Sequence, residues 1–205
     1  MKELFNKIIK IEWEMFSSTQ NIGGQASCQQ DPVGFEIMRY AQFSAWDIES
    51  MELYLSDLES AAAEGRNLLT LKYAYMMEST DPVYYESIKS SLPPVEGEKK
   101  ALVESLTAQT ILWCRDFAGR WPHVASAGRP IEKSSDKLFT TSVETYSRGE
   151  FSSYGVDTLR SLLRHYEHMA AKGENLHEKV VAEEMRLMIG VESLEQAEAL
   201  ISRRS

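Results

Sequence analysis

Apolar residues recur along this chain at spacings of three and four, the period of an amphipathic helix, and no useful stretch alternates as a strand would. Residues 2–17 open the pattern. Projected on a helical wheel, Leu4, Phe5, Ile8, Ile9, Ile11, Trp13, Met15 and Phe16 fill a broad half of the circumference, with Glu12 in its middle. Asp31-Pro32 is the next start signal, an N-cap followed by proline at the first helical position, and Phe35, Met38 and Trp46 form the stripe behind it. Gln42 lies at the centre of that stripe and Arg39 on its flank. Ile48, Met51, Leu55, Leu58 and Ala62 predict a third helix ending at Gly65, and Asn67 caps a fourth that carries Leu68, Tyr75 and Met76. Asp81-Pro82 begins a short helix that stops before Pro93-Pro94.

Beyond residues 92–99 the series resumes. Leu102, Leu106, Trp113 and Phe117 mark a helix over residues 98–119, and residues 120–140, with Pro122, Gly128 and Pro130, read as a long irregular loop. Thr141-x-x-Glu144 is a capping box for a helix carrying Val143, Tyr146 and Tyr154. Val156, Leu159, Leu163, Tyr166 and Met169 predict the next helix, and Leu176, Val180 and Leu187 the one after. Ser193-x-x-Gln196 opens the last. The class expected is all-α, with about ten helices.

The pattern is used twice. Residues 35–78 align without a gap on residues 143–186, with 12 identities in 44 positions, among them Glu36/Glu144, Phe43/Phe151, Gly65/Gly173, Asn67/Asn175 and Met77/Met185. Chance matches at about one position in fifteen would give far fewer, which indicates an internal duplication. The expected architecture is therefore two tandem helical halves, residues 1–94 and 95–205, packed about a pseudo-twofold axis as one structural domain. In the second copy Glu150 replaces Gln42.

Composition narrows the function. A net charge of −9 with no Lys/Arg-rich run excludes a phosphate-backbone footprint, so no nucleic acid partner is expected. No apolar run approaches a membrane span. With two cysteines, Cys28 and Cys114, a disulfide framework is absent, which suits a reducing cytoplasm. There is no phosphate-binding glycine loop, dinucleotide fingerprint, nucleophile elbow or Cys-x-x-Cys pair, and no cofactor is expected.

The informative residues are polar groups at positions where the helical pattern calls for apolar ones: Glu12, Gln42, Glu150 and Arg39. A lone buried carboxylate costs several kcal/mol unless paired or protonated, so these side chains should meet. Two readings follow. One is a satisfied network that fixes how the halves pack. The other is a ligand pocket in which Arg39 holds an anion, Gln42 and Cys28 add contacts, and Glu12 or Glu150, with raised pKa, serves as acid or base. Cys28 lies in a glycine-containing loop, residues 19–30, just ahead of a helix start, and His123 is the loop histidine that would have to activate its thiol. Glu174-x-x-His177 has the spacing of a metal-binding helix motif, but Asn175 caps that helix and leaves Glu174 outside it, so no metal site is expected. Glu144 and Arg148 read as an exposed intrahelical ion pair.

The chain also resembles an uncharacterised bacterial domain-of-unknown-function family. The resemblance is carried by Glu12-Trp13-Glu14-Met15-Phe16; Gly23-Gly24 with Ala26-Ser27-Cys28-Gln29; Ile37-Met38-Arg39 with Gln42-Phe43 and Trp46; Gly65-Arg66-Asn67-Leu68; Lys72-Tyr73-Ala74 with Met76-Met77-Glu78; Gly128-Arg129-Pro130; and Glu144-Thr145-Tyr146 with Arg148-Gly149-Glu150. It implies a helical architecture and brings no reaction with it. Gln25 stands where the family pattern implies a basic residue. The functions that fit are a cytoplasmic ligand-binding or protein-interaction module with a polar centre, an enzyme of hydrolase or lyase type acting on a small polar metabolite, or a structural partner domain in a larger assembly. A small molecule or a protein would be the partner, and homo-oligomerisation is left open.

Overall fold

The computed structural model describes residues 2–20, 24, 26–137 and 140–203, and among them every regular element is helical. The helices are α1 (Lys2–Ser18), α2 (Pro32–Ser44), α3 (Ile48–Ala63), α4 (Leu68–Thr80), α5 (Pro82–Ile88), α6 (Gly97–Arg120), α7 (Pro122–Ser126), α8 (Val143–Ser153), α9 (Val156–Ala171), α10 (Leu176–Ile189) and α11 (Leu194–Ser202). Gly23 and Gln25 lie outside the described residues.

Local chemistry sets the boundaries. Asp31 and Asp81 accept hydrogen bonds from Gly34 N and Tyr84 N, and the prolines that follow them supply the first helical residue of α2 and α5. The turns α3–α4 and α9–α10 are closed in the same way. Gly65 and Gly173 both adopt φ +69°, where a Cβ would be strained, so each lets its helix end in a left-handed cap. Asn67 then caps α4 and donates to Met15 O of α1, and Asn175 caps α10 and donates to Trp113 O of α6.

Helices α4 and α8 pack tightly, as do α6 with α8 and α9, α10 with α2, α1 with α3, and α3 with α9. The main core runs from Phe5, Ile8 and Phe16 through Phe43, Tyr54 and Leu58 to Leu106, Phe151, Leu159 and Tyr166. A smaller core joins Phe117, Val124, Leu194 and Ala197 where α7 and α11 meet.

Several sequence expectations shift. Met38 and Ile48 are about half exposed, while Arg39 is 5% and Tyr54 2% exposed, so the buried faces of α2 and α3 are rotated from the apolar stripes drawn through them. Residues 120–140 are not wholly irregular, since they contain α7 and a 3₁₀ turn at Lys133–Ser135. The N-cap of α8 is Ser142 rather than Thr141: its side chain accepts from Thr145 N, while Glu144 accepts from Lys133 N. Glu144 is therefore buried, and its partner Arg148 also binds Glu104, so the pair is no free surface bridge.

Candidate functional site

Helices α1, α2, α3, α4 and α8 converge on one buried guanidinium. Arg39 Nε and Nη2 donate to the two oxygens of Glu12 at 2.7 and 2.5 Å, and Nη1 donates to Glu150 Oε1 at 2.8 Å and Gln42 Oε1 at 2.6 Å. The fork geometry of arginine suits it to hold one carboxylate with two parallel bonds and to reach a second with its remaining nitrogen. Tyr54 from α3 donates to Glu12 Oε1 at 2.7 Å, which completes the contacts of a carboxylate with no exposure at all. Lys72 of α4 places Nζ 3.5 Å from Glu150 Oε1 and 3.7 Å from the centre of the Tyr146 ring. The Phe43 ring lies 4.7 Å beneath the Arg39 guanidinium.

Two carboxylates and two cations make the cluster neutral, which is how four buried charges are tolerated. Burial alone would lower the Arg39 pKa, but Glu12 and Glu150 outweigh it and raise it well above the ordinary value. Burial alone would also raise Glu150, yet Lys72 and Arg39 outweigh it and hold the carboxyl down at about 2. Glu150 is thus a fixed anion, the opposite of the raised-pKa acid considered from sequence. The Lys72 pKa is lowered by burial, with Glu150 opposing. Tyr54 is raised by burial and by Glu12. The Tyr154 hydroxyl is buried beside Glu150 without closing a hydrogen bond of good geometry.

The sequence-derived quartet Glu12, Arg39, Gln42 and Glu150 is therefore brought together, with Arg39 at its hub rather than at its edge. Lys72, Tyr54 and Tyr146 belong to the same cluster and were not among the candidates. A signal for Lys72 was present: it stands four residues after Leu68 and four before Met76, both buried, so it shares their face of α4.

Cys28 sits in a 3₁₀ turn, Ser27–Gln30, exposed, near the Tyr73 hydroxyl. Gln29 anchors that turn through Nε2 to Phe16 O and Thr19 O. His123 lies on α7, packed with α6 and α11, and no interaction joins it to Cys28 among the described residues. The cysteine–histidine pair considered from sequence is not assembled. Nor is a metal cluster of histidine, cysteine and carboxylate side chains formed among those residues. His177 instead packs edge-on against Phe117, and burial lowers its pKa to about 4.

At one corner the cluster approaches the surface. Tyr146 and Tyr73 are half-buried, and the exposed Arg129 lies 4.8 Å from the Tyr146 ring centre while donating to Thr141 O. Two cations thus share one tyrosine ring. The segments quoted above as carrying the family resemblance supply Glu12, Arg39 and Gln42, Lys72 and Tyr73, Arg129, Tyr146 and Glu150 to this one place. A family model described as "Protein of unknown function (DUF4125)" matches residues 2–199. The chain belongs to this family. No curated protein and no solved structure matches the DUF4125 chain. No described helix of this DUF4125 chain is long and apolar enough to cross a membrane.

Proposed function

We propose that the chain is a helical ligand-binding module that takes a small anion at the Lys72–Tyr146–Arg129 corner of its polar centre. The observation that carries this reading is the state of Lys72. Its side chain is 2% exposed and its ammonium has three N–H donors, while the single carboxylate oxygen it faces is 3.5 Å away and also holds Arg39 at 2.8 Å. Buried donors seek acceptors, and a carboxylate or phosphate oxygen against Tyr146 would complete Lys72 while meeting Arg129, which forms no ion pair among the described residues. Glu12, Arg39, Gln42 and Glu150 then act as the fixed floor of the site, saturated with one another. Cys28 and Tyr73 stand at its edge.

Helix pairings support two halves sharing one core, since α4 against α8 has its counterpart in α10 against α2, and α1 against α3 in α6 against α9. In this reading the site lies where the first half's α4 meets the second half's α8.

The test is a thermal-shift titration with inorganic phosphate, sulfate and small mono- and dicarboxylates. A ligand at a hundred times its Kd adds about 2.7 kcal/mol of stability. Arg129→Ala removes an exposed contact with Thr141 O and the Tyr146 ring, so the unliganded melting temperature is expected to fall only slightly while the shift is abolished. An anion-induced shift that survives both Arg129→Ala and Lys72→Met, or no shift with any anion, overturns the reading.

A further inference from the structure

Residues 82–94 are attached to the helices around them without being built into the core. Neither α5 nor the 3₁₀ turn that follows it, Lys89–Ser91, has a buried residue, and Val83 on α5 is 85% exposed. Helix α5 packs on α4, and Val95 is the first side chain after it that joins the main core. We propose that residues 82–94 form a flap, held shut by a hydrogen bond from Tyr75 to Pro93 O, that swings away from α4 as a unit and opens the cleft it borders while the long helices stay folded.

The pattern of hydrogen bonds separates what holds the flap together from what holds it down. Tyr84 N and Tyr85 N donate to Asp81, Ser87 Oγ to Tyr84 O and Leu92 N to Lys89 O, while Lys89 pairs with Glu86. These bonds lie within the segment or at its cap, so they survive its movement. Among the described residues, Tyr75 to Pro93 O, at 2.7 Å, is the one hydrogen bond that ties the segment down elsewhere. Asp81, at φ −148° and ψ 74°, interrupts the helical path between α4 and α5 and supplies a pivot. Pro93-Pro94 stiffens the other arm, because each ring fixes its own φ. A segment with little buried apolar surface and a single tie opens at a free energy well below that of global unfolding.

The cleft has a volume of about 1210 Å³, and Tyr85, Lys89 and Leu92 of the flap line it together with Val103 of α6 and Thr145 and Ser152 of α8. A smaller cavity of about 160 Å³ adjoins it. Tyr75, Pro93 and Ser152 line both, so the Tyr75–Pro93 bond stands where the two spaces meet. Releasing that bond joins them and bares Ser152, which is 5% exposed while the flap is shut.

Thiol accessibility tests this. Ser152→Cys, a change of one atom, is made in the full chain together with Cys28→Ser, and alkylation by iodoacetamide is followed by peptide mass spectrometry. Cys114, 3% exposed in α6, reports global unfolding in the same molecule. The thiol at position 152 is expected to react more slowly than a free thiol, with a shallow dependence on denaturant, and Cys114 with a steep one, because the flap exposes little surface. Tyr75→Phe should speed reaction at position 152 about fivefold, the worth of one hydrogen bond. Leu194→Ala, in the separate core of α7 and α11, should speed Cys114 and leave position 152 unmoved. Parallel denaturant dependences for the two thiols overturn the proposal, since position 152 would then open only with the whole fold. So does reaction at position 152 at the full rate of a free thiol, or a rate there that Tyr75→Phe does not change.

Discussion

Arg39 is the residue whose removal should reveal most about this fold. It satisfies two carboxylates at once, and taking away one partner of a buried ion pair typically costs about 3–5 kcal/mol because the other charge is left stranded. Arg39→Met is expected to destabilise the chain by that amount in chemical denaturation. Glu12→Gln should also destabilise it, but the double variant should lose clearly less than the sum, since Lys72 and Glu150 then balance each other. A strictly additive cycle would mean that Glu12 and Arg39 do not act as a pair. Much of this was legible in the sequence, because Glu12, Gln42 and Glu150 stood in apolar stripes and a buried charge must find a partner. Arg39 projects to the flank of the stripe only when Met38, which is half exposed, is counted within it. Lys72 escaped because helix four carries apolar residues on several sides, which blurs its buried face.

Between elements, the close approach of α4 to α8 rests on a missing side chain. A Cβ on Gly149 would lie 2.6 Å from Met76 Cγ and 2.8 Å from the Lys72 carbonyl oxygen, and although a methionine can move, a helix backbone cannot do so without shifting Lys72. Gly149→Ala should therefore cost about 1–3 kcal/mol by overpacking. Gly119→Ala, whose Cβ would meet nothing within 4 Å in α6, should raise the melting temperature through better helix propensity. If the two substitutions have the same sign, overpacking does not govern the α4–α8 contact. Helix α10 carries a pH signature of its own. His177, lowered by burial from 6.5 to about 4, stays neutral in the folded chain while the unfolded chain takes up a proton. Its contribution is thus fully present above about pH 6.5 and is lost as pH falls from there to about 4. Glu184 on the same helix, raised by burial from 4.5 to about 7, has the opposite slope: its contribution is full below 4.5 and lost as pH rises to about 7. His177→Gln should remove the loss of stability on acidification from about pH 6.5 to 4, and Glu184→Gln the loss as pH rises from 4.5 to about 7, both read from denaturation midpoints at several pH values. Helix boundaries follow from capping chemistry, which is local. The orientations of α2 and α3 do not, because they depend on which neighbour each helix meets.

For the molecule as a whole, the inferred duplication makes an asymmetric claim about folding. Under the constant offset of 108 residues Arg39 falls on Ser147, Gln42 on Glu150 and Lys72 on Val180, so residues 143–186 lack both cations of residues 35–78. The consequence is electrostatic. A fragment of residues 1–94 would hold Glu12, Arg39 and Lys72, one cation in excess at its centre, and a fragment of residues 95–205 would hold Glu150 with neither of its partners. Each fragment would also expose the apolar faces of α4 or α8 that pack together in the whole chain. Expressed apart, the halves are expected to show helical circular dichroism with no cooperative thermal transition, and mixing them should restore one. Arg39→Met in the first fragment should weaken that reassembly, because Glu150 would lose its closest partner across the junction. A cooperative transition in the first fragment alone would show that the junction contributes little to folding, and that the polar centre serves the first half by itself.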